Sequence, residues 1–206
     1  KPLIKIGSKN LIERAIELLI NHGVEEIAIN VYHLADQIKD FINKKRYEVK
    51  ITISDEQNSL LDTGGGVLKA TRSFKEPFAV INPDTLWNSN HSNDLKNLEK
   101  IYFNQKKVSL LLVNKNLSYD DSFRGDFNLN GNMISRDESN QFIFTGLQIL
   151  DQSIFNFTKE KKFSINKIWD NLIQNRSLIG VESKQTFYHL NTKEMYEKIL
   201  KLNIID

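Results

Sequence analysis

Residues 26–54 read EIAINVYHLADQIKDFINKKRYEVKITIS, and their apolar pattern decides the fold class. The apolar run Glu26–Val31 predicts a short buried strand, and the alternation of apolar and polar residues over 48–54 predicts a second strand. Between the two strands, apolar residues recur on one helix face: Leu34, Ile38, Phe41 and Ile42. The order strand, helix, strand is typical of two parallel strands joined by a crossover helix.

The same alternation extends to both sides of this unit. A helix is predicted to begin after Asn10, a good N-cap residue, and to end at Gly23. The run 78–82, FAVIN, has the continuous apolar character of a central parallel strand covered on both faces. A helix over 94–103 and a strand over 108–113 follow. We therefore expect an α/β fold with a doubly wound, mostly parallel, Rossmann-like sheet.

The pattern changes in the second half of the chain. The turn signal Asn130-Gly131 predicts a β-hairpin over 126–136, and residues 142–149 predict a longer strand. Two further helices are predicted, over 166–174 and 192–202. The second half should therefore be mixed and partly antiparallel. Since no linker or repeat interrupts the sequence, we expect a single domain over 1–206.

The composition excludes several classes of protein. The chain has 206 residues, of which 40% are hydrophobic and 26% are charged, and this supports a folded core. The formal net charge of +2 is too balanced for a nucleic-acid surface. The chain has no Cys, and no apolar run approaches the roughly 18 residues that span a membrane. We therefore expect a cytoplasmic protein that binds neither nucleic acid nor membranes.

The sharpest local signal is LDTGGGVLKA at residues 61–70, where three consecutive glycines precede a helix-forming stretch. Glycine weakens helices and strands, so a run of it needs a reason. One interpretation is close approach of the backbone to a ligand, with free N–H groups at a helix N-terminus. The other is a flexible hinge, and the residue types alone leave both open.

Two further segments are candidates for chemistry. Asp84 follows the predicted strand 78–82, where α/β sheets bind ligands, so it is either a Mg²⁺ ligand or a turn residue. Thr145 and Gly146 interrupt a buried strand, either to leave space for a ligand or to form a bulge, and we favour the bulge. The sequence contains no Gly-x-Ser-x-Gly elbow and no Walker motif, so a serine hydrolase is not expected.

Taken in order, these segments resemble the sugar-1-phosphate nucleotidylyltransferases. The opening KPL at 1–3 is similar to the end of that family's signature, G-x-G-x-R…P-K-P-L, and LDTGGG at 61–66 is similar to its nucleotide-contacting loop. The sequence NPD at 82–84 resembles the family's N-x-D metal motif, and FTGL at 144–147 resembles its sugar-side segment. The C-terminal part resembles a bacterial subgroup that includes N-acetylmuramate-1-phosphate uridylyltransferases and is hard to separate from mannose-1-phosphate guanylyltransferases.

The resemblance implies a fold of the nucleotide-diphospho-sugar transferase type and a reaction. An NTP and a sugar 1-phosphate would give an NDP-sugar and pyrophosphate, with Mg²⁺ as cofactor, in cell-wall synthesis or peptidoglycan recycling. It also implies roles for residues: Lys1 and Asp84 in catalysis, Asp84 on the metal, Asp62, Gly64, Gly65 and Gly66 at the nucleotide, and Thr145 and Gly146 at the sugar.

The sequence departs from the family pattern in two places. The initial strand and the G-x-G-x-R loop are absent, so we expect a domain that lacks its first strand and Gly-rich loop, as in an incomplete chain. Many relatives have an Asp at the position of His189, which would be a weaker second metal contact or a partner of phosphate or sugar. The alternatives are a mannose- or heptose-1-phosphate guanylyltransferase and, in another class, a non-catalytic binding module or truncated inactive paralogue.

Overall fold

The computed structural model describes residues 1–57, 60–156 and 158–202, which form an α/β fold. The elements of the first half are, in order, β1 (Lys5–Ile6), β2 (Lys9–Asn10), α1 (Leu11–Asn21), β3 (Glu26–Val31), α2 (Ala35–Lys45), β4 (Lys50–Asp55), α3 (Asp62–Ala70), β5 (Phe78–Ile81), α4 (His91–Gln105) and β6 (Val108–Asn114). Those of the second half are β7 (Asn128–Asn130), β8 (Met133–Ser135), β9 (Phe142–Leu150), α5 (Ile165–Gln174), β10 (Leu178–Ser183) and α6 (Lys193–Leu200).

The predicted strand–helix–strand unit is confirmed. β3 and β4 pair in parallel over their whole length, with Glu26 opposite Lys50 and Val31 opposite Asp55. The connecting helix α2 buries Ile38 and Ile42 in the same core as the strands, as the spacing of its apolar residues predicts. The predicted first helix is α1, which begins directly after Asn10 with a capping box between Asn10 and Glu13.

The larger sheet has six strands in the order β5-β9-β6-β10-β8-β7. β6 and β10 are parallel, whereas β9 runs antiparallel to both β5 and β6. The predicted hairpin at Asn130-Gly131 is confirmed as β7 and β8, with Asn130 opposite Met133. The α/β class and the mixed second half follow the prediction.

The predicted place of residues 78–82 within the sheet is wrong. Phe78–Ile81 forms β5, which lies at one end of the six-stranded sheet and pairs antiparallel with β9. The nine-residue strand β9 from the second half separates β5 from β6. A continuous apolar run indicates that both faces of a strand are covered, but it does not indicate which strands lie beside it.

Two apolar cores cover the two faces of the sheet. The first core includes Leu19, Ile38 and Leu98 and lies under α1, α2 and α4. The second core includes Phe127 and Ile168 and lies against α3 and α5; Val67 and Leu68 of α3 pack on it. Each fully buried side chain of this size stabilises the fold by about 1.5–3 kcal/mol. Among the described residues, every helix is too short or too polar to cross a lipid bilayer.

The start of α4 contains a buried histidine. The ring of His91 is 5% exposed, and its Nδ1 accepts a hydrogen bond from the backbone N–H of Asn88 at 3.2 Å. It also meets the ring of Trp87 edge-on, with centroids 5.0 Å apart. Burial lowers the pKa of His91 to about 4, so the imidazole is neutral at physiological pH.

We expect the stability of the fold to decrease as the pH falls from about 6.5, the unfolded value, toward about 4, the folded pKa of His91. Between these values the unfolded chain binds one more proton than the folded chain, so acid favours unfolding. Between about pH 7.5 and about pH 4.5 this difference amounts to about 2.5 kcal/mol. Urea unfolding of the natural protein and of His91→Gln at both pH values tests it; an equal loss of stability in the two proteins would contradict it.

Candidate active site

Asp84 lies in residues 82–87, called here the Asp84 segment, which is held from two sides. On one side, the backbone N–H of Asn82 donates to the carbonyl of Gly146 at 2.8 Å, where β5 ends against β9. On the other side, Leu190 N–H donates to the carbonyl of Asp84 at 2.8 Å, and Leu86 N–H donates to that of Tyr188 at 2.9 Å. The Asp84 segment therefore pairs with a part of the chain about a hundred residues away.

This pairing brings Asp84 and His189 together. His189 Nε2 lies 3.3 Å from Asp84 Oδ2, and both side chains are partly exposed, at 23% and 31%. Burial raises the pKa of Asp84, but the hydrogen bond and charge of His189, with a smaller contribution from the charge of Lys1, outweigh burial and leave the pKa below its ordinary value. Asp84 and His189 are therefore in contact, with Asp84 ionised at neutral pH, and the charge of Lys1 acts on the same carboxylate.

Of the two side chains, Asp84 suits a hard divalent cation and His189 does not. The carboxylate of Asp84 is the kind of oxygen ligand that such cations prefer, whereas the imidazole of His189 is a poor ligand for them. Within the described part of the chain, His, Asp and Glu side chains form no cluster of three that would enclose a cation. Any cation here would take most of its ligands from bound phosphate and water.

The glycine run forms the N-terminal half of α3, and its close contacts are with the chain itself. Gly64 N–H and Gly65 N–H both donate to the carbonyl of Phe163, at 2.9 and 3.1 Å. A Cβ on Gly64 would overlap the Phe163 ring, and one on Gly65 would overlap the carbonyl of Lys161. The hinge interpretation does not describe buried glycines within a helix, and these two N–H groups are not free. Contact of the glycines with a nucleotide stays a prediction.

Asp62 begins this helix in a left-handed conformation, with φ of 63°. Its side chain is exposed, and Asp62 Oδ1 accepts from the N–H of Thr63 at 2.6 Å. Non-glycine residues rarely adopt this conformation, and strained positions of this kind concentrate at functional sites. The predicted role of Asp62 at the nucleotide is consistent with this strain but is not tested by it.

We expect Asp62→Gly to be more stable than Asp62→Ala by about 1 kcal/mol, because only glycine adopts a left-handed conformation without cost. Both variants lose the same carboxylate, so their difference reports the backbone alone. Alanine is ordinarily about 1 kcal/mol more stable than glycine in a helix, so the expected order is reversed. Thermal or urea unfolding measures the difference, and an alanine variant of equal or greater stability would contradict a left-handed Asp62.

Glu56, which is not among the predicted site residues, supports the start of α3. Glu56 is 3% exposed; its Oε1 accepts from Asn30 Nδ2 at 3.2 Å and its Oε2 accepts from the N–H of Leu61 at 3.2 Å. A Cβ on Gly66 would come within 2.8 Å of Glu56 Oε1. The available signal was a carboxylate directly after β4, in the same place as Asp84 after β5.

Thr145 and Gly146 form the bulge that the sequence favoured. The pairing of β6 with β9 jumps from Leu110 opposite Gln148 to Leu112 opposite Phe144, so extra residues of β9 lie between them. Gly146 has φ of 97°, and a Cβ there would come within 2.8 Å of the Cβ of Asn82. The Thr145 hydroxyl is buried and donates to the carbonyl of Leu111 at 2.9 Å. A place for both residues beside a sugar stays a prediction.

The fold matches solved structures over almost the whole chain. HddC from Yersinia pseudotuberculosis superposes with a TM-score of 0.77 at 22% identity, covering 97% of this chain and 88% of that one. This likeness establishes the fold: an α/β protein built on the same mixed sheet.

Sequence comparison then gives the family. Residues 1–119 match the family described as nucleotidyl transferase, and the chain belongs to it. The N-acetylmuramate alpha-1-phosphate uridylyltransferase of Caulobacter vibrioides is 24% identical over 202 residues, 92% of this chain and 82% of that protein. The D-glycero-alpha-D-manno-heptose 1-phosphate guanylyltransferase of Campylobacter jejuni is 28% identical over 174 residues, 81% of this chain and 74% of that protein.

Proposed function

We propose that this chain is a sugar-1-phosphate nucleotidylyltransferase, which joins an NTP and a sugar 1-phosphate to give an NDP-sugar and pyrophosphate. The observation that carries the proposal is the contact between Asp84 and His189, in a chain of the nucleotidyl transferase family. An ionised carboxylate suits the cation of a cation-bound triphosphate, and the ammonium of Lys1, whose charge acts on Asp84, suits the phosphates.

In the proposed reaction a phosphate oxygen of the sugar 1-phosphate attacks the α-phosphorus of the NTP. The new P–O bond forms as the bond from the α-phosphorus to the oxygen that bridges to the β-phosphorus breaks, and pyrophosphate leaves with that electron pair. The protein's task is to hold the two phosphates in line and to stabilise charge. Lys1 would contact the phosphates, Asp84 would hold the cation, and Asp62 with Gly64–Gly66 would face the nucleotide.

We propose Mg²⁺ as the divalent cation. When bound, it would neutralise charge on the triphosphate and on the leaving pyrophosphate. Asp84 would be its main protein ligand, in keeping with the preference of Mg²⁺ for one or two carboxylates plus substrate phosphates. His189 would be a weak second contact or a partner of the phosphate. Thr145 and Gly146 would border the sugar, Gly146 through its backbone.

For the substrates we propose UTP and N-acetylmuramate 1-phosphate, in cell-wall or peptidoglycan recycling, because the Caulobacter relative extends over 92% of this chain. Guanylyl transfer to a heptose or mannose 1-phosphate is the second candidate, because the Campylobacter relative is 28% identical. The cytoplasmic location and the lack of nucleic-acid and membrane partners stay predictions from the sequence.

We also propose that residues 1–206 form one domain. In the described part of the chain, β3 and β5 each have an edge without a paired strand. Ile29 of β3 and Ile81 of β5 pack against the same first core, so the two sheets share one apolar core.

A substrate matrix tests the function. Pyrophosphate release is measured for UTP, GTP, CTP, ATP and dTTP, each with N-acetylmuramate, mannose, heptose and glucose 1-phosphate, with and without Mg²⁺. The same matrix is run on the chain extended by the residues encoded upstream of Lys1. We expect metal-dependent release with UTP and N-acetylmuramate 1-phosphate, with the NDP-sugar identified by mass spectrometry. Nucleotide binding without turnover for any pair, in either form, would favour the non-catalytic module and contradict the proposal.

A further inference from the structure

The residue after Asp84 ties the candidate catalytic carboxylate to the centre of the sheet. Thr85 is 2% exposed, and its hydroxyl Oγ1 donates to the backbone carbonyl of Thr145 at 2.6 Å. Its backbone forms an antiparallel bridge with His189. Thr85 is therefore fixed both to the segment that carries His189 and to β9.

The carbonyl of Thr145, which accepts the hydrogen bond from Thr85, lies in the bulge of β9. Where the pairing of β6 and β9 jumps, Leu111 has no partner residue in β9, and the Thr145 hydroxyl donates to its carbonyl at 2.9 Å. The Thr85 hydroxyl thus links the Asp84 segment to β9, and the Thr145 hydroxyl links β9 to β6. Leu111 is 0% exposed, so this connection ends in the buried core.

The indole of Trp87 joins the two ends of the Asp84 segment by a hydrogen bond. Trp87 is 0% exposed, and its Nε1–H donates to the carbonyl of Asn82 at 2.7 Å. The segment from 82 to 87 is thus held at both ends, and Thr85 is the only one of its residues whose described side-chain hydrogen bond reaches β9. Loss of that hydroxyl would leave a buried carbonyl without a donor beside Asp84, and the segment would shift to relieve it.

We propose that Thr85 is a positioning residue for the Asp84 carboxylate: its hydroxyl sets the affinity of the site for a divalent cation. The inference rests on the proposed role of Asp84. Partners that orient a metal ligand typically change metal affinity by about 10- to 100-fold when removed. Thr85→Val removes the hydroxyl at nearly constant shape, so we expect the dissociation constant for Mn²⁺ to rise by about 10-fold or more.

The test measures Mn²⁺ binding by electron paramagnetic resonance, with UTP present, for the natural chain and four variants. Thr85→Ser keeps the hydroxyl and should bind Mn²⁺ within about threefold of the natural chain, whereas Thr85→Val should not. Thr71→Val is the matched control, because Thr71 is also buried and its hydroxyl donates to the carbonyl of Val67 at 2.7 Å. It should lose stability without losing Mn²⁺ affinity. Asp84→Asn defines the loss of the site.

The outcomes separate the inference from the function on which it rests. If Asp84→Asn loses Mn²⁺ binding and Thr85→Val does not, Asp84 keeps its role and the inference about Thr85 is wrong. If Asp84→Asn binds Mn²⁺ as the natural chain does, the proposed metal role of Asp84 fails, and the inference fails with it. Circular dichroism of each variant at the assay temperature corrects the isotherms for the folded fraction, so a Thr85→Val loss that only follows unfolding also counts against the inference.

Discussion

Asp84→Asn is expected to lower kcat by about 1000-fold or more while the fold is retained, since charge stabilisation at the reacting phosphates is the protein's main contribution to such a reaction. The amide has the shape of the carboxylate and still offers an oxygen to His189 Nε2, which lies 3.3 Å from Asp84 Oδ2. The change removes the negative charge that would hold the cation. Steady-state pyrophosphate release with the preferred substrate pair measures kcat, and urea unfolding measures stability.

Asp55→Asn is the matched control for this variant. Asp55 ends the parallel strand β4, and it accepts from Lys39 Nζ at 2.7 Å, but it lies outside the candidate site. It is partly exposed, so the loss of its ion pair should cost little stability and change kcat by less than about twofold. If Asp84→Asn keeps more than about a tenth of the activity, or if both variants lose activity equally, the role of Asp84 is wrong.

Gly65→Ala is expected to destabilise the fold by about 2 kcal/mol or more and to weaken NTP binding in parallel. A Cβ on Gly65 would overlap the backbone carbonyl of Lys161, and a backbone atom cannot move aside as a side chain can. The gain in helix propensity, about 1 kcal/mol, offsets only part of this overlap. Urea unfolding gives the change in stability, and calorimetric titration with UTP gives the change in affinity.

Gly131→Ala separates this overlap from the ordinary cost of replacing a glycine. Gly131 has φ of +56°, and a Cβ there would meet nothing within 4 Å, so the variant should lose only about 1 kcal/mol. Its affinity for UTP should be unchanged because it lies in the turn between β7 and β8. If Gly65→Ala is as stable as the natural chain, α3 does not pack against residues 161–163 as described.

Local periodicity predicted most of the elements but not their order in the sheet. The run Glu26–Val31 and the alternation before Asp55 indicate strands because side-chain burial repeats every two residues, and β3 and β4 pair as expected. The apolar run 78–82 predicts a central parallel strand, yet β5 ends the six-stranded sheet, antiparallel to β9. Neighbours in a sheet are set by long-range packing, which the apolar run of one strand does not encode.

In the candidate site, too, local patterns predict single residues but not their long-range contacts. Asp84 was found from its place after a strand, but its meeting with His189 depends on the bridge between Thr85 and His189, which no local pattern reveals. The residue types of the glycine run leave a ligand contact and a hinge both open, whereas its observed contact with Phe163 depends on a segment about a hundred residues later. Glu56 was missed because a buried carboxylate has no periodic signal and is recognised only through its partners, Asn30 and Leu61.

The proposed function requires that α3 and Asp84 face one bound nucleotide. A crystal structure with a non-hydrolysable UTP analogue and Mg²⁺ would show this. We expect the base or ribose against residues 61–66, the phosphates beside Lys1, and a carboxylate oxygen of Asp84 at about 2.1 Å from the metal. A nucleotide bound away from both α3 and β5, or a metal without contact to Asp84, would contradict it.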